Sequence, residues 1–420
     1  MLRCRRDGSA PRFGSATAHP RAAAGDQARD DDVTGVDIFW VATGLILYTY
    51  LGYPILLSLL TAGRRQPTYE PAAQLPTVSL IVTAFNEEDV LRDKLENSFA
   101  LDYPDHLLQI IVVSDGSTDG SDDVASAFET RRGFLFLRQQ QNEGKTMAQN
   151  AGVRAATGQI LVFSDANSIY ATDALQKLVG PFVDGRVGCV CGELHYTNPK
   201  RAAAGMGEGS YWRYEQYLKR HESLLGSLVG ANGSIYALRR ELFQELGAAI
   251  ISDFIMPIRL RLAGHRVVYE PSAIAVEEVA VGFVDELKRR RRIVARSLYG
   301  LWTEPGAFNP FAHPLFVFQV VSHKVIRWLV PVLLLVMLIT SVEPGLARLS
   351  PYDWLFGGQL LLYALALLGG LLPVGVSRLS LFYVPAYFCA INLGALLGLL
   401  AALRGQRHTV WKPLARADTD

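Results

Sequence analysis

Thr77-Val-Ser-Leu-Ile-Val-Thr-Ala-Phe-Asn-Glu-Glu88 begins as a short apolar, β-rich run and ends in acids that suit the start of a helix. That helix reaches about Ala100, and Tyr103-Pro104 closes it. The same phrase recurs downstream. Gln109-Ile-Ile-Val-Val-Ser114 is a second buried-strand run, and Asp115-Gly-Ser-Thr-Asp119 turns into another helix. Phe134–Arg138 reads as strand, Gly144–Thr157 as helix, and Gln159-Ile-Leu-Val-Phe-Ser164 as strand. The order βαβαβαβ, with strands apolar along their whole length, predicts an α/β fold. Its sheet is mostly parallel, with helices covering both faces. Ligands of such sheets bind beyond the carboxyl ends of the strands. Polar residues collect there in this chain: Asn86-Glu87, Asp115, and Asp165-Ala-Asn167. No GxGxxG follows the first strand and no GxxxxGK[ST] occurs, so dinucleotide-binding and P-loop chemistry both lose support.

The surroundings of this segment are of another kind. Half of the 420 residues are hydrophobic, and charges vanish from three windows, Ile38–Gly63, Trp354–Ser377 and Leu379–Leu403. Each reaches the ~20 residues a membrane helix needs. A fourth window, Trp328–Val342, covers only about 22 Å as a helix and needs its flanks, Lys324 and Arg327, to help it across. The expected organisation is a disordered tail over 1–35 and a membrane helix over 36–62. A nucleotide-binding α/β domain follows over 77–303, then an interfacial helix and about three membrane helices over 311–403, and a tail over 404–420. Residues 1–35 carry no apolar h-region, so no cleavable leader is expected. A net charge of +1 gives no electrostatic case for nucleic acid. Of the four cysteines, Cys4 and Cys389 stand alone. Cys189 and Cys191 face one side of a strand without partners at metal-ligand spacing, and read as buried thiols.

The residues at the strand ends carry the chemistry. A carboxylate at Asp115 can accept hydrogen bonds from a ribose or base edge; equally, Asp and Ser are good helix N-caps. Asp165 and Asn167, one residue apart, can share a hard divalent cation with substrate phosphates; equally, they are common turn residues. Lys145, in Asn142-Glu-Gly-Lys145, opens a helix whose free N–H groups suit a diphosphate. Two acids and a lysine at successive ends of one sheet describe a pocket for a sugar nucleotide.

Five segments together resemble the inverting family 2 glycosyltransferases. They are Val78–Glu88, Val112–Gly120, Asn142–Lys145, Val162–Ser168 and Gly230-Ala-Asn-Gly-Ser-Ile-Tyr-Ala237. The resemblance spans about 77–300 and implies a GT-A fold, Rossmann-like with a mostly parallel sheet, plus transmembrane helices. The plan is similar to that of cellulose, hyaluronan and poly-N-acetylglucosamine synthases. It implies that Ala84, Glu87, Asp115, Lys145 and Asp165 bind the nucleotide sugar, and that Asp165 and Asn167 hold Mg²⁺ or Mn²⁺. It makes Asp253, in Ile251-Ser-Asp-Phe254, the catalytic base, and sets Asn232, Gly233, Arg289 and Arg292 around the acceptor or the diphosphate. Three positions depart from the family pattern. Asn167 replaces an acid, Ser252 replaces the acidic neighbour of the base, and Arg289 and Ile293 replace the Gln and Trp of QxxRW.

The implied activity is transfer of a sugar, from a UDP-sugar or related donor, to a glycan or lipid-linked acceptor at the membrane. Two other readings compete: a transporter with a nucleotide-sugar-binding regulatory domain, and a weakened glycan-binding scaffold. Few intramembrane charges count against transport. Arg64 and Arg65 after the first span favour a cytosolic catalytic domain, and Arg404, Arg407, Lys412 and Arg416 favour a cytosolic C-terminal tail. The two preferences conflict with three C-terminal crossings. Arg289–Arg292 sits in an amphipathic stretch, Phe283–Trp302, that also reads as an interfacial helix. His195 reads as structural.

Overall fold

The computed structural model describes residues 23–69, 74–197, 204–278, 283–372, 379–406 and 409. Cys4, Arg407, Lys412, Arg416 and residues 1–22 of the expected tail lie outside them. The strands are β1 Val78–Ala84, β2 Leu108–Ser114, β3 Phe134–Arg138, β4 Ile160–Asp165, β5 Ile169–Tyr170, β6 Val187–Thr197, β7 Tyr236–Arg239 and β8 Arg266–Glu278. The helices up to the membrane segment are α1 Ala23–Leu47, α2 Tyr53–Leu60, α3 Glu88–Phe99, α4 Ser121–Ser126, α5 Lys145–Ala155, α6 Ala174–Val179, α7 Ala204–Leu225, α8 Ser252–Leu262 and α9 Phe283–Trp302. α1 thus starts at Ala23, inside the stretch expected to be a tail, because an Ala-rich opening propagates helix from the adjoining apolar segment.

One eight-stranded sheet runs in the order β3-β2-β1-β4-β7-β6-β8-β5. β1 lies third from one edge and is buried along its whole length. It pairs in parallel with β2 on one side and β4 on the other, and β3 extends β2 in parallel. The second half departs from the expected pattern: β7 is antiparallel to both β4 and β6, and β5 to β8, while β6 and β8 are parallel. The sheet is therefore mixed. Strand composition reports burial on both faces, not the direction of the neighbour, so β7 could not be oriented from its residues. The register sets Thr83 opposite both Val113 and Asp165 and Ala84 opposite Ser114, so three parallel strands end at one level. β7 starts at that level, since Tyr236 pairs with Phe163.

Among the described residues, four helices are long and apolar enough to cross a membrane: Gly35–Leu60, Pro314–Leu346, Tyr352–Leu371 and Ser380–Leu403. The first bends through a π-helical turn, Tyr48–Gly52, ahead of Pro54. Proline lacks an N–H and crowds the carbonyl four residues back, which opens the turn. The second is far longer than the window Trp328–Val342. Its leading half carries His323, Lys324 and Arg327, which hide it from an apolar-window reading. Those charges are matched from α7. His323 Nδ1 lies 2.7 Å from Glu222 Oε1, which also accepts the Tyr53 hydroxyl at 2.7 Å. Arg327 pairs with Glu215, and Lys324 Nζ is 3.9 Å from it. Burying these charges is tolerable because each has a counter-charge or hydrogen bond.

α9 is not a free interfacial helix. The last apolar helix lies along it, and Gly394 and Gly398 make the contact. A Cβ on Gly394 would come 2.8 Å from Leu287 O and the Arg290 Cβ, and one on Gly398 would come 2.8 Å from Arg291 O and the Val294 Cβ. Small residues four apart let two helix backbones approach. Gly398→Leu is expected to force α9 away and to cost about 1–3 kcal/mol of stability. A fall in the midpoint of thermal unfolding in detergent measures it, and an unchanged midpoint would contradict this packing.

Candidate active site

The loops after β1 and β2 are fastened to each other. Thr118 N–H donates to Asn86 Oδ1 at 2.8 Å, Gly120 N–H to Glu88 Oε2 at 2.9 Å, and Asn86 N–H to Ser117 Oγ at 3.1 Å. Asn86 adopts a left-handed conformation, φ 54°, which Asn tolerates better than most residues. Ala84 is buried, and its carbonyl accepts Asp115 N–H at 2.8 Å. Glu87 is nearly buried and N-caps α3, with its own N–H on Ser121 Oγ at 2.8 Å. These contacts fix the two loops together just beyond the strand ends.

Asp115 has no exposed surface. It accepts Glu143 N–H at 2.8 Å on one carboxylate oxygen and Gly144 N–H at 2.9 Å on the other. It caps no helix of its own; it holds the loop that delivers Lys145. Burial pushes its carboxyl above the usual range, and the two N–H donors pull it back. The loop then turns at Gly144, φ 100°, into α5.

Lys145 is ion-paired with Asp165, at the end of β4, and reaches the Gly233 carbonyl at 3.4 Å. Ser234 Oγ donates to the other Asp165 oxygen at 3.4 Å. Gly233 is where the two halves of the site meet. A Cβ there would lie 2.8 Å from Asp253 Oδ2 and 3.2 Å from Lys145 Nζ, so only glycine leaves room. Asp253 sits in the first turn of α8, half-buried, and its own carbonyl accepts Ala231 N–H at 2.8 Å. Burial raises its carboxyl above the usual range; Lys145 and Lys219 lower it and Asp165 raises it further. Asp165, Lys145, Gly233 and Asp253 therefore share one place. Asn167 lies two residues beyond Asp165, half-buried. Asn232 accepts Lys219 Nζ at 3.0 Å.

Arg289 and Arg292 come from α9. Arg289 donates to Tyr196 Oη at 3.3 Å and lies 3.6 Å from Glu286. Among the described residues Arg292 has no hydrogen-bond or ion-pair partner, and burial together with Arg289 lowers its pKa. His195 lies 2.7 Å from Glu193 Oε1, away from these groups.

Three residues that motif reading passed over support the site. Arg296 ties α9 to the loop before Asp253, donating to Ile250 O at 2.7 Å and Ala248 O at 2.9 Å. Lys94 is fully buried under the Asp165 turn. It donates to Ser168 O at 2.5 Å and stands 3.9 Å over the Tyr170 ring, and burial brings its pKa down to about 7. Glu277 accepts from Ser168, and burial and the nearby Asp165 raise its carboxyl. The signal for Lys94 was a charge on the inward stripe of an amphipathic helix, which motif reading does not inspect.

A cavity of 240 Å³ opens from Asp253 and Asn232 toward the apolar helices. A larger one, 340 Å³, lies at the opposite ends of β4 and β7, between Gln74 and Arg239, far from every group above. The chemistry, not the volume, marks the first as the site.

A mixed sheet with acids at the ends of its parallel strands, and a further carboxylate from a later helix, is an arrangement similar to that of the GT-A glycosyltransferases. Residues 79–247 match the family model Glycosyl transferase family 2. Among curated relatives, the poly-beta-1,6-N-acetyl-D-glucosamine synthase of Staphylococcus epidermidis is 23% identical over 244 residues, 57% of this chain and 57% of that protein. The synthase of Staphylococcus aureus strain MSSA476 is 25% identical over 244 residues, with the same coverage. The chain thus spans 57% of the length of these relatives. The mannosyltransferase PcManGT from Pyrobaculum calidifontis, solved with GDP-Man and Mn²⁺, superposes with a TM-score of 0.66 at 19% identity. The match covers 88% of this chain and 99% of that one, and at that identity it is a likeness of fold.

Asp115→Asn turns one acceptor into a donor that faces a backbone N–H. It is expected to cost about 1–3 kcal/mol and to weaken nucleoside diphosphate binding by loosening the Lys145 loop. Thermal unfolding of the purified variant checks the first and calorimetric titration the second; parent-like affinity would contradict the role given to Asp115.

Proposed function

We propose that this chain is an inverting glycosyltransferase that moves a sugar from a nucleoside diphosphate donor to an acceptor hydroxyl at the membrane. The observation that carries it is the meeting of Lys145, Asp165 and Asp253 around Gly233. The donor lies along the rim, with its base near Glu87 and Asp115 and its diphosphate by Lys145 and the start of α5. A helix N-terminus with a lysine suits that charge. The acceptor oxygen bonds to the anomeric carbon as the bond to the diphosphate breaks. Its proton passes to Asp253, and the nucleoside diphosphate leaves. Lys145, Arg292 and Arg296 set the positive field in which the leaving charge forms. Attack from the side opposite the leaving group inverts the anomeric centre.

The donor set also fits a divalent cation. Asp165 supplies a carboxylate and Asn167 an amide oxygen, and Lys145 already occupies a cation's place on Asp165. Mg²⁺ or Mn²⁺ typically takes one or two such groups plus phosphate oxygens; when bound, it neutralises diphosphate charge. The Mn²⁺ and GDP-Man of the Pyrobaculum enzyme support this reading. The relatives named as poly-beta-1,6-N-acetyl-D-glucosamine synthases support a glycan product.

We read the chain as a multi-pass membrane protein with its catalytic domain in the cytosol, where nucleotide sugars are. Arg291 donates to Gln406 at 3.2 Å, and the Thr409 carbonyl packs on Gly144. Both contacts put the chain after the last helix beside the catalytic domain. Three full crossings after Trp302 would leave it on the far side, so two of the three C-terminal helices cross completely. This reading satisfies the charge bias on both sides of the apolar helices.

Purified protein with Mn²⁺ and a panel of UDP- and GDP-sugars is expected to release nucleoside diphosphate. Asp253→Asn is expected to abolish release with donor binding nearly intact. Release at the parent rate removes Asp253 as the base. The pH profile gives a second check. Asp253 acts deprotonated and its pKa is raised, so activity falls as pH drops through a value above the ~4 of ordinary carboxylates. An acid limb at or below that value would contradict the assignment.

A further inference from the structure

The cavity beneath Asp253 is lined on the catalytic side by Trp212, Lys219, Asn232 and Asp253, and on the other by Tyr50, Lys324, Arg327, Trp328, Ile391 and Ala395 from three apolar helices. It joins the proposed base to the membrane. Its charge is unbalanced. Lys219, Arg289, Arg290, Lys324 and Arg327 face it, against the carboxylates of Glu215 and Asp253. Glu286, behind the wall, answers Arg289 and Arg290. Glu215 is shared among Arg327, Lys324 and His323, with Lys324 at 3.9 Å.

Lys219 is the sharpest case. It is buried, and its hydrogen bonds go to neutral atoms, Asn232 Oδ1 at 3.0 Å and Cys191 Sγ at 3.8 Å. Asp253 opposes it only through space, without an ion-pair contact, and a buried cation held that loosely is costly. Two lysines facing one cavity, one with neutral partners and one at the edge of a shared carboxylate, are arranged for an anion that enters from outside. The cavity's 240 Å³ is small beside the ~300–1,000 Å³ of most ligand pockets. It has room for a headgroup. Beyond the lysines the lining turns apolar at Trp328, Ile391 and Ala395, which suits a hydrocarbon tail.

We propose that the acceptor is a phosphate-bearing lipid. Its phosphate rests between Lys219 and Lys324 and its tail leaves between the apolar helices; the P–OH of its monoanion faces Asp253, which takes that proton as the phosphate oxygen bonds to the anomeric carbon and the nucleoside diphosphate leaves. This rests on the reading of the site as a glycosyltransferase and narrows the acceptor class. The alternative acceptor, a growing neutral glycan, would bring no charge to Lys219, whose hydrogen bonds go to neutral atoms, or to Lys324, which shares Glu215 with Arg327 and His323.

The test needs no donor. The full chain in nanodiscs of neutral phosphatidylcholine is titrated with radiolabelled farnesyl phosphate, with farnesol, inorganic phosphate and a neutral glucosamine-based oligosaccharide as competitors. Saturable binding of farnesyl phosphate is expected, with farnesol and inorganic phosphate each at least about tenfold weaker. Lys219→Gln and Lys324→Gln should each weaken binding about tenfold or more, the loss of a charge-assisted hydrogen bond. Where a Gln variant unfolds, Lys219→Arg and Lys324→Arg should fold and retain binding. Equal binding of farnesol would remove the phosphate from the proposal, and equal binding of inorganic phosphate would remove the lipid. Displacement by the oligosaccharide, or parent-like binding by both Gln variants, would overturn it. Absence of donor hydrolysis with lipid binding intact would instead sink the catalytic reading and leave this site standing.

Discussion

The ion pair between Lys145 and Asp165 is the interaction on which the site depends. Lys145 arrives on a loop pinned by Asp115, Asp165 ends the strand beside β1, and Gly233 brings in the helix that bears Asp253. In the absence of donor, the ammonium neutralises the acid on which a metal–diphosphate would sit. The site is thus built from groups that answer one another and can exchange that pairing for a ligand. The parallel register of β2, β1 and β4 makes this possible by ending all three strands at one level.

The first half of the sheet was legible in the sequence because β1, and the inner residues of β2 and β4, are buried and mostly apolar. A run of that kind has no other stable place. Polar residues directly after such runs could then be assigned to the rim. The second half was not legible. β7 is four residues long, and its direction is set by where the loop carrying Asn232 and Gly233 must lie, a tertiary demand with no local signature.

The supporting residues were hidden for a related reason. Lys94, Lys219 and Arg296 look like surface charges in a string of letters. Only packing reveals that each is turned inward, Lys94 beneath the Asp165 turn, Arg296 behind the loop before Asp253, and Lys219 at the wall of the membrane-facing cavity. The long second span was likewise masked by His323, Lys324 and Arg327, whose partners lie more than a hundred residues away on α7. Charges that break an apolar window are a poor guide to its end when a soluble domain supplies their counter-charges.

The account stands most directly on where a nucleoside diphosphate and Mn²⁺ bind. A cryo-electron microscopy map of the chain with both ligands should show the diphosphate at the start of α5, the metal on Asp165, and Lys145 moved from that carboxylate to a phosphate oxygen. Nucleotide density in the cavity between Gln74 and Arg239, with the Lys145–Asp165 pair undisturbed, would contradict it.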